Sequence, residues 1–174
     1  MDTITFRPMK LEDIHRVHEI DVVSFAMPWP EKSYQFELTQ NPTTLAIVAE
    51  LVPQDTKSVV IGMSVVWMIV NEAHIATIAV HPEFRGVGLG KRLLAETLRQ
   101  SIERGAILAT LEVRENNQAA QQMYTKFGFK VVGRRPHYYA DNNEDAILMT
   151  LNGLSPRYLQ WLNNIMQENI TWRR

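Results

Sequence analysis

Residues 78–92 read Ile-Ala-Val-His-Pro-Glu-Phe-Arg-Gly-Val-Gly-Leu-Gly-Lys-Arg, an extended apolar stretch that meets three closely spaced glycines and opens into an amphipathic helix. Glycines let successive main-chain N–H groups approach an anion, and a helix N-terminus adds unpaired donors and a favourable dipole. Arg85, Lys91 and Arg92 add positive charge to the turn. Two phosphate-binding motifs fail here. A Walker A loop requires glycine where Arg85 stands and Ser or Thr where Arg92 stands. The dinucleotide fingerprint requires glycine where Lys91 stands. The turn is thus a candidate anion site on a third glycine register; a tight strand-to-helix connection with solvated basic residues is the competing reading.

Two further residues have types suited to proton transfer. In the run from Ala109 to Arg114, Leu111 and Val113 share one face of a strand and leave the Glu112 carboxylate on the other. A carboxylate on an interior strand either pairs or works. Its working role would be general base, directly or through water; its pairing role would be an ion pair with Arg114, two residues along the same face. Tyr124 follows Ala120 by four residues on a helix face, so its phenol could give a proton to a leaving group or simply fill the core. His74, His81 and His137 are other imidazoles, and none outranks Glu112. His81 precedes Pro82 at a strand end, and His15 and His18 lack a second ligand at metal spacing. Residues 141–145, Asp-Asn-Asn-Glu-Asp, imitate the opening of a calcium loop, but Ala146 replaces its glycine and Asn152 its closing glutamate. No metal is expected.

These groups need a scaffold, and hydrophobic periodicity outlines one. A first strand runs to Arg7, and Leu11, Ile14, Val17 and Ile20 mark a helix whose wet side carries Glu12, Asp13, His15 and Arg16. Pro28 and Pro30 break that helix around Trp29, and a short helix is expected from Glu31 to Leu38. Three strands of a meander follow at Leu45 to Leu51, Ser58 to Ile69 and His74 to Val80. Helix and strand then alternate. Leu89, Leu93, Leu94, Leu98 and Ile102 line a helix that Gly105 ends, and Ala106 to Val113 form a strand. Asn117 caps a helix ending at Gly128. Strands at Phe129 to Gly133 and Asp145 to Leu151 flank a tyrosine-bearing loop, and Ser155-Pro156 starts a terminal helix. The fold class expected is mixed α/β: a central mixed twisted sheet flanked by helices, with residues 1–151 as one domain and 152–174 as its helical extension.

The chain has 174 residues with 18 Lys+Arg against 19 Asp+Glu, a net charge of -1, which gives no global attraction to nucleic acid or anionic lipid. With 45% hydrophobic and 21% charged residues it has a globular composition. Its zero cysteines exclude disulfides, thiolate metal sites and a cysteine nucleophile, and fit a reducing compartment. No apolar run approaches the roughly 20 residues that span a bilayer, and the N-terminus lacks a signal-peptide pattern. A cytoplasmic protein is expected.

Arg85-Gly86-Val87-Gly88-Leu89-Gly90 resembles the Q/R-x-x-G-x-G/A signature of the GNAT superfamily of N-acetyltransferases. The element order resembles the fold of that superfamily over nearly the whole chain. Residues 25–29, 77–82 and 111–114, Asn117 with Ala119 and Ala120, Met123 and Tyr124 with residues 127–129, and residues 133–135 with Tyr138 and Tyr139 further resemble the RimI-type ribosomal-protein alanine N-acetyltransferases. The resemblance implies acetyl-CoA as cosubstrate. Ile78, Ala79 and Val80 would hold its acetyl and pantetheine part, and the turn of Arg85, Gly86, Val87, Gly88, Leu89, Gly90 and Lys91 its pyrophosphate. Asn117 would also touch it. The resemblance makes Glu112 the base and Tyr124 the acid, puts the oxyanion on a main-chain N–H near Val80, and has Trp29, Tyr34, Tyr138 and Tyr139 shape the acceptor groove from loops. It implies a protein N-terminus as acceptor, the alanine that begins a small-subunit ribosomal protein, and a monomer or weak dimer. An acetyltransferase for a small amine and a non-catalytic CoA-binding module are the alternatives.

Overall fold

The computed structural model describes residues 3–168 and 170; residues 1, 2, 169 and 171–174, which belong to the two stretches distinguished above, lie outside them. Alternation of apolar side chains builds the strands β1 (Thr3–Pro8), β2 (Thr44–Val52), β3 (Val59–Ile69), β4 (Glu72–Val80), β5 (Leu108–Arg114), β6 (Lys130–Tyr139) and β7 (Glu144–Asn152). They form one sheet in the order β1-β2-β3-β4-β5-β7-β6. Every pairing is antiparallel except β4 with β5, because the helix α3 (Leu89–Glu103) carries the chain across between them. The remaining helices are α1 (Ile14–Ser24), α2 (Glu31–Thr39), α4 (Gln118–Lys126) and α5 (Pro156–Gln167).

The sheet is covered on both faces. Leu93, Leu94 and Leu98 of α3, Tyr124 of α4 and Leu162 and Ile165 of α5 pack with Ile47, Ile61, Ile75, Leu111 and Met149. Val17 and Ile20 of α1 and Tyr34 of α2 pack with Val48, Val60, Met63 and Val65 on the other face. The near-continuous apolar runs of β2 and β3 follow from this double burial.

Three expectations change. Leu11 to Asp13 form a 3₁₀ turn before α1, Leu11 is exposed and Asp13 is buried, the reverse of the helix-face expectation. The cause is Arg7, which donates to both oxygens of Asp13 at 2.7 and 2.9 Å while Lys10 N–H donates to Oδ2 at 2.8 Å. The supposed tyrosine loop is strand: β6 runs on through Pro136 to Tyr139. Proline reads as a breaker, yet β6 is an edge strand, where a missing donor costs no ladder bond. The strand after α3 begins at Leu108 rather than Ala106.

The feature that matters for function lies mid-sheet. β4 and β5 pair only from Glu72 opposite Leu108 to Ile75 opposite Leu111. Beyond that, β4 continues beside β3 to Val80 and β5 beside β7 to Arg114. A bulge in the β3–β4 ladder at Val65 and Val66 accompanies the parting. The two strands open a gap in the sheet, and the glycine turn and α4 lie at it.

Candidate active site

A cavity of about 640 Å³ occupies this gap. Residues 75–80 of β4, 111–114 of β5, the glycine turn, and Asn117, Ala119, Ala120, Met123 and Tyr124 of the α4 region line it. Gly86 and Gly88 hold φ at 78° and 90°, and Gly88 stands at the N-cap of α3. A Cβ at either would meet open space, so only the backbone conformation demands glycine. Among the described residues nothing accepts a hydrogen bond from the main-chain N–H of Gly86, Val87, Gly88, Leu89, Gly90 or Lys91. Six free donors at a helix start form a ready anion cradle.

The basic side chains of the turn are placed otherwise than its charge suggests. Arg85 folds back, its Nε donating to Val80 O at 2.8 Å and its Nη2 to Ser24 Oγ at 2.9 Å, so it braces the end of β4 against α1. Lys91 Nζ lies 2.7 Å from Glu168 beyond α5. Leu89 is buried in the core and Val87 packs against that core, and neither side chain lines the cavity. Asn117 Oδ1 accepts from Ala120 N–H at 3.2 Å and caps α4.

Glu112 is partly buried on the cavity wall. Its partner is not Arg114, which donates instead to Asp141 at 3.0 Å and Glu144 at 3.2 Å and lies 3.8 Å over the Tyr139 ring. The acidic stretch around Asp141 thus serves as an arginine clamp. The two Glu112 oxygens are divided: Oε1 is 3.2 Å from Arg135 Nη1, and Oε2 is 3.7 Å from His74 Nε2. Tyr124 is buried, packs against Phe129 at a ring separation of 5.7 Å, and gives its hydroxyl to no described residue. Burial, with Tyr139 nearby, pushes its phenol well above the ordinary value, so it keeps its proton at neutral pH.

Of the four aromatics expected around the acceptor, Trp29 and Tyr139 line the cavity. Tyr138 is exposed on β6, packed on Tyr139 at 5.1 Å. Tyr34 lies inside α2, fully buried, and donates to Asp21 Oδ2 at 2.7 Å. That oxygen also accepts Trp29 N–H at 2.7 Å, so Tyr34 acts on the cavity only by holding the Trp29 loop through Asp21. Asp21 itself lines the cavity and was passed over in the sequence. A signal existed: it stands four residues after Val17, a carboxylate on the buried stripe of α1. Trp67 was missed as well; it stacks on Trp29 at 6.1 Å and on His74 at 5.6 Å.

Comparison with known proteins places this geometry. Residues 14–129 match the model of the acetyltransferase (GNAT) family. A candidate ribosomal protein bS18-alanine N-acetyltransferase of Bacillus subtilis strain 168 is 39% identical over 143 residues, 82% of this chain and 91% of that protein. The ribosomal protein bS18-alanine N-acetyltransferase of Escherichia coli K12 is 30% identical over 158 residues, 84% of this chain and 96% of that protein. The crystal structure of the E. coli ribosomal-protein-S18-alanine N-acetyltransferase superposes with a TM-score of 0.74, covering 87% of this chain and 94% of that one. The chain therefore belongs to the acetyltransferase (GNAT) family of acyltransferases, and within it is similar to the ribosomal-protein alanine N-acetyltransferases.

Proposed function

We propose that this protein acetylates the α-amino group of a protein that begins with alanine, a small-subunit ribosomal protein by likeness to its relatives, with Glu112 as base and Tyr124 as acid. The observation that carries the reading is that one cavity gathers both side chains with the free N–H groups of the glycine turn. Those donors suit a pyrophosphate, and the gap between β4 and β5 leaves main-chain groups of residues 76–80 open to an extended arm. Acetyl-CoA, when bound, supplies the acetyl group as an activated thioester. Glu112 accepts the proton of the acceptor amine, and Tyr124 donates its own to the departing sulfur. Main-chain N–H groups near Val80 meet the developing oxyanion. An α-amino group titrates near 8 against lysine near 10.4, a difference worth roughly 3 kcal/mol, so one glutamate suits an N-terminus better than a lysine.

Steady-state kinetics on peptides beginning Ala, Ser or Met, and on a blocked peptide with an internal lysine, test the proposal. Acetyl is expected on free Ala-type N-termini, with kcat lowered about 100-fold or more in Glu112→Gln and Tyr124→Phe while acetyl-CoA binding is kept. Near-normal turnover in both folded variants would sink the mechanism. Turnover on polyamines alone would replace the acceptor.

A further inference from the structure

Thr77 carries a buried hydroxyl that the described residues leave without a partner. It stands on β4 in the wall of the cavity, 9% exposed, and no described residue makes a hydrogen bond with its side chain. Burying a hydroxyl is costly unless it is bonded. Nor is it sealed in the core: among the described residues Arg92 Nε is the side-chain polar atom closed off without a partner. The Thr77 hydroxyl therefore opens into the cavity, and what fills the cavity satisfies it. A bulge decides which side it serves. Val65 of β3 is opposite Thr77 and Val66 is opposite Ile75, so Ala76 is the extra residue, and it reverses the alternation of β4. Ile75 packs into the core under α3 and α4; beyond the bulge Ile78 and Val80 do so, while Ala79 joins the other face with Tyr34 and Trp29. Thr77, two residues before Ala79, shares that face. On β5, Leu111 and Val113 pack toward α3, which leaves Glu112 on the side of Thr77. The last rung between the strands joins Ile75 to Leu111. Thr77 and Glu112 are the first polar side chains past it, on the face of the Trp29 loop.

We propose that the Thr77 hydroxyl donates to the carbonyl of the acceptor's first peptide bond and so selects an α-amine over a side-chain amine. This rests on the reading of the protein as an N-terminal acetyltransferase with Glu112 beside the acceptor nitrogen. In an N-terminal residue a single carbon separates the amine nitrogen from that carbonyl, so a nitrogen held at Glu112 brings a carbonyl oxygen to the same face. A lysine or a polyamine offers only methylenes there. It leaves the hydroxyl unpaired, and a site built to hydrogen-bond one group discriminates against an analogue that lacks it. Thr77 holds the acceptor, and no proton passes through it.

The test is kcat/KM on a matched pair of acceptors, an Ala-starting peptide and the same peptide with a trans-alkene in place of its first peptide bond, with a blocked internal-lysine peptide as the third. Wild type should favour the Ala peptide over the alkene analogue by about tenfold or more. Thr77→Val, which keeps the shape, should lower the Ala-peptide value about tenfold and leave the other two acceptors, and the KM for acetyl-CoA, within about twofold. Thr77→Ser should keep the preference. An equal loss on both members of the pair means a packing role and overturns the proposal. So does a raised KM for acetyl-CoA with the preference intact, which gives the hydroxyl to the cosubstrate. If Thr77→Val does not fold, wild type carries the test, and equal turnover of the pair overturns the proposal. Turnover of small amines alone by wild type removes the acceptor reading and this proposal together. Acetylation of the Ala peptide by Thr77→Val at the wild-type rate removes this proposal only.

Discussion

At Gly88 the backbone takes a φ of 90° with open space where a side chain would go, so an alanine there meets no obstacle and only conformational strain. That strain is roughly 1–2 kcal/mol. Gly88→Ala should lower the thermal midpoint modestly and raise the KM for acetyl-CoA severalfold with kcat little changed, because the N–H donors would be re-aimed. Residue types made this turn legible, as they did Glu112, whose place opposite Leu111 and Val113 marked it in the sequence. The partners were not legible. Arg135 reaches Glu112 from β6, and Tyr34 meets Asp21 across a break in the helices, contacts that depend on tertiary placement rather than spacing. Arg85 illustrates the converse, a charge correctly placed at the turn whose guanidinium is spent on Val80 and Ser24.

Among the elements, β1 is an edge strand tied down by one arginine. Arg7 donates to Asp13 in the 3₁₀ turn and to Glu50 of β2 at 2.9 and 3.0 Å, joining three segments. Burial pushes the Asp13 carboxyl upward, but Arg7 and the Lys10 N–H outweigh it and hold the group below its ordinary 3.8. Arg7 likewise holds Glu50 below its ordinary 4.5. The folded protein therefore binds these protons more weakly than the unfolded chain. Their contribution to stability is present above the ordinary values and is lost as pH falls through the depressed ones. Thermal melts should show the midpoint dropping progressively below about pH 4.5, and Asp13→Asn, less stable at neutral pH, should show a shallower acid drop. An acid drop as steep as wild type would refute this role for Asp13. Periodicity located helices α1 to α5 to within a few residues, but missed the Asp13 turn because burial there is electrostatic, and stopped β6 early because Pro136 lies on an edge.

Across the whole molecule, α5 is the element with the weakest account in the sequence, and the structure ties it to the site. Leu162 and Ile165 join the core beside α3, Tyr158 donates to Phe127 O at 2.7 Å, and Glu168 holds Lys91. An exposed pair of this kind is worth at most about 1 kcal/mol. Lys91 released from Glu168 adds its charge to the anion cradle, so Glu168→Gln should lower the KM for acetyl-CoA by up to about fivefold at low salt, with the difference shrinking as salt rises. An unchanged KM would mean that Lys91 takes no part in anion binding.

The stack of Trp29, Trp67 and His74 has an optical consequence. Protonation of the imidazole sets a cation against the face of Trp67, which perturbs the indole's electronic environment. With Trp161 and Trp172 replaced by Phe, emission from the two remaining indoles should differ between the wild-type ring and His74→Gln, which removes the imidazole stacked on Trp67. A flat response would mean the rings are not held together in solution. Where it is seen, the fluorescence of Trp67 reports, without substrate or label, that the three rings are stacked.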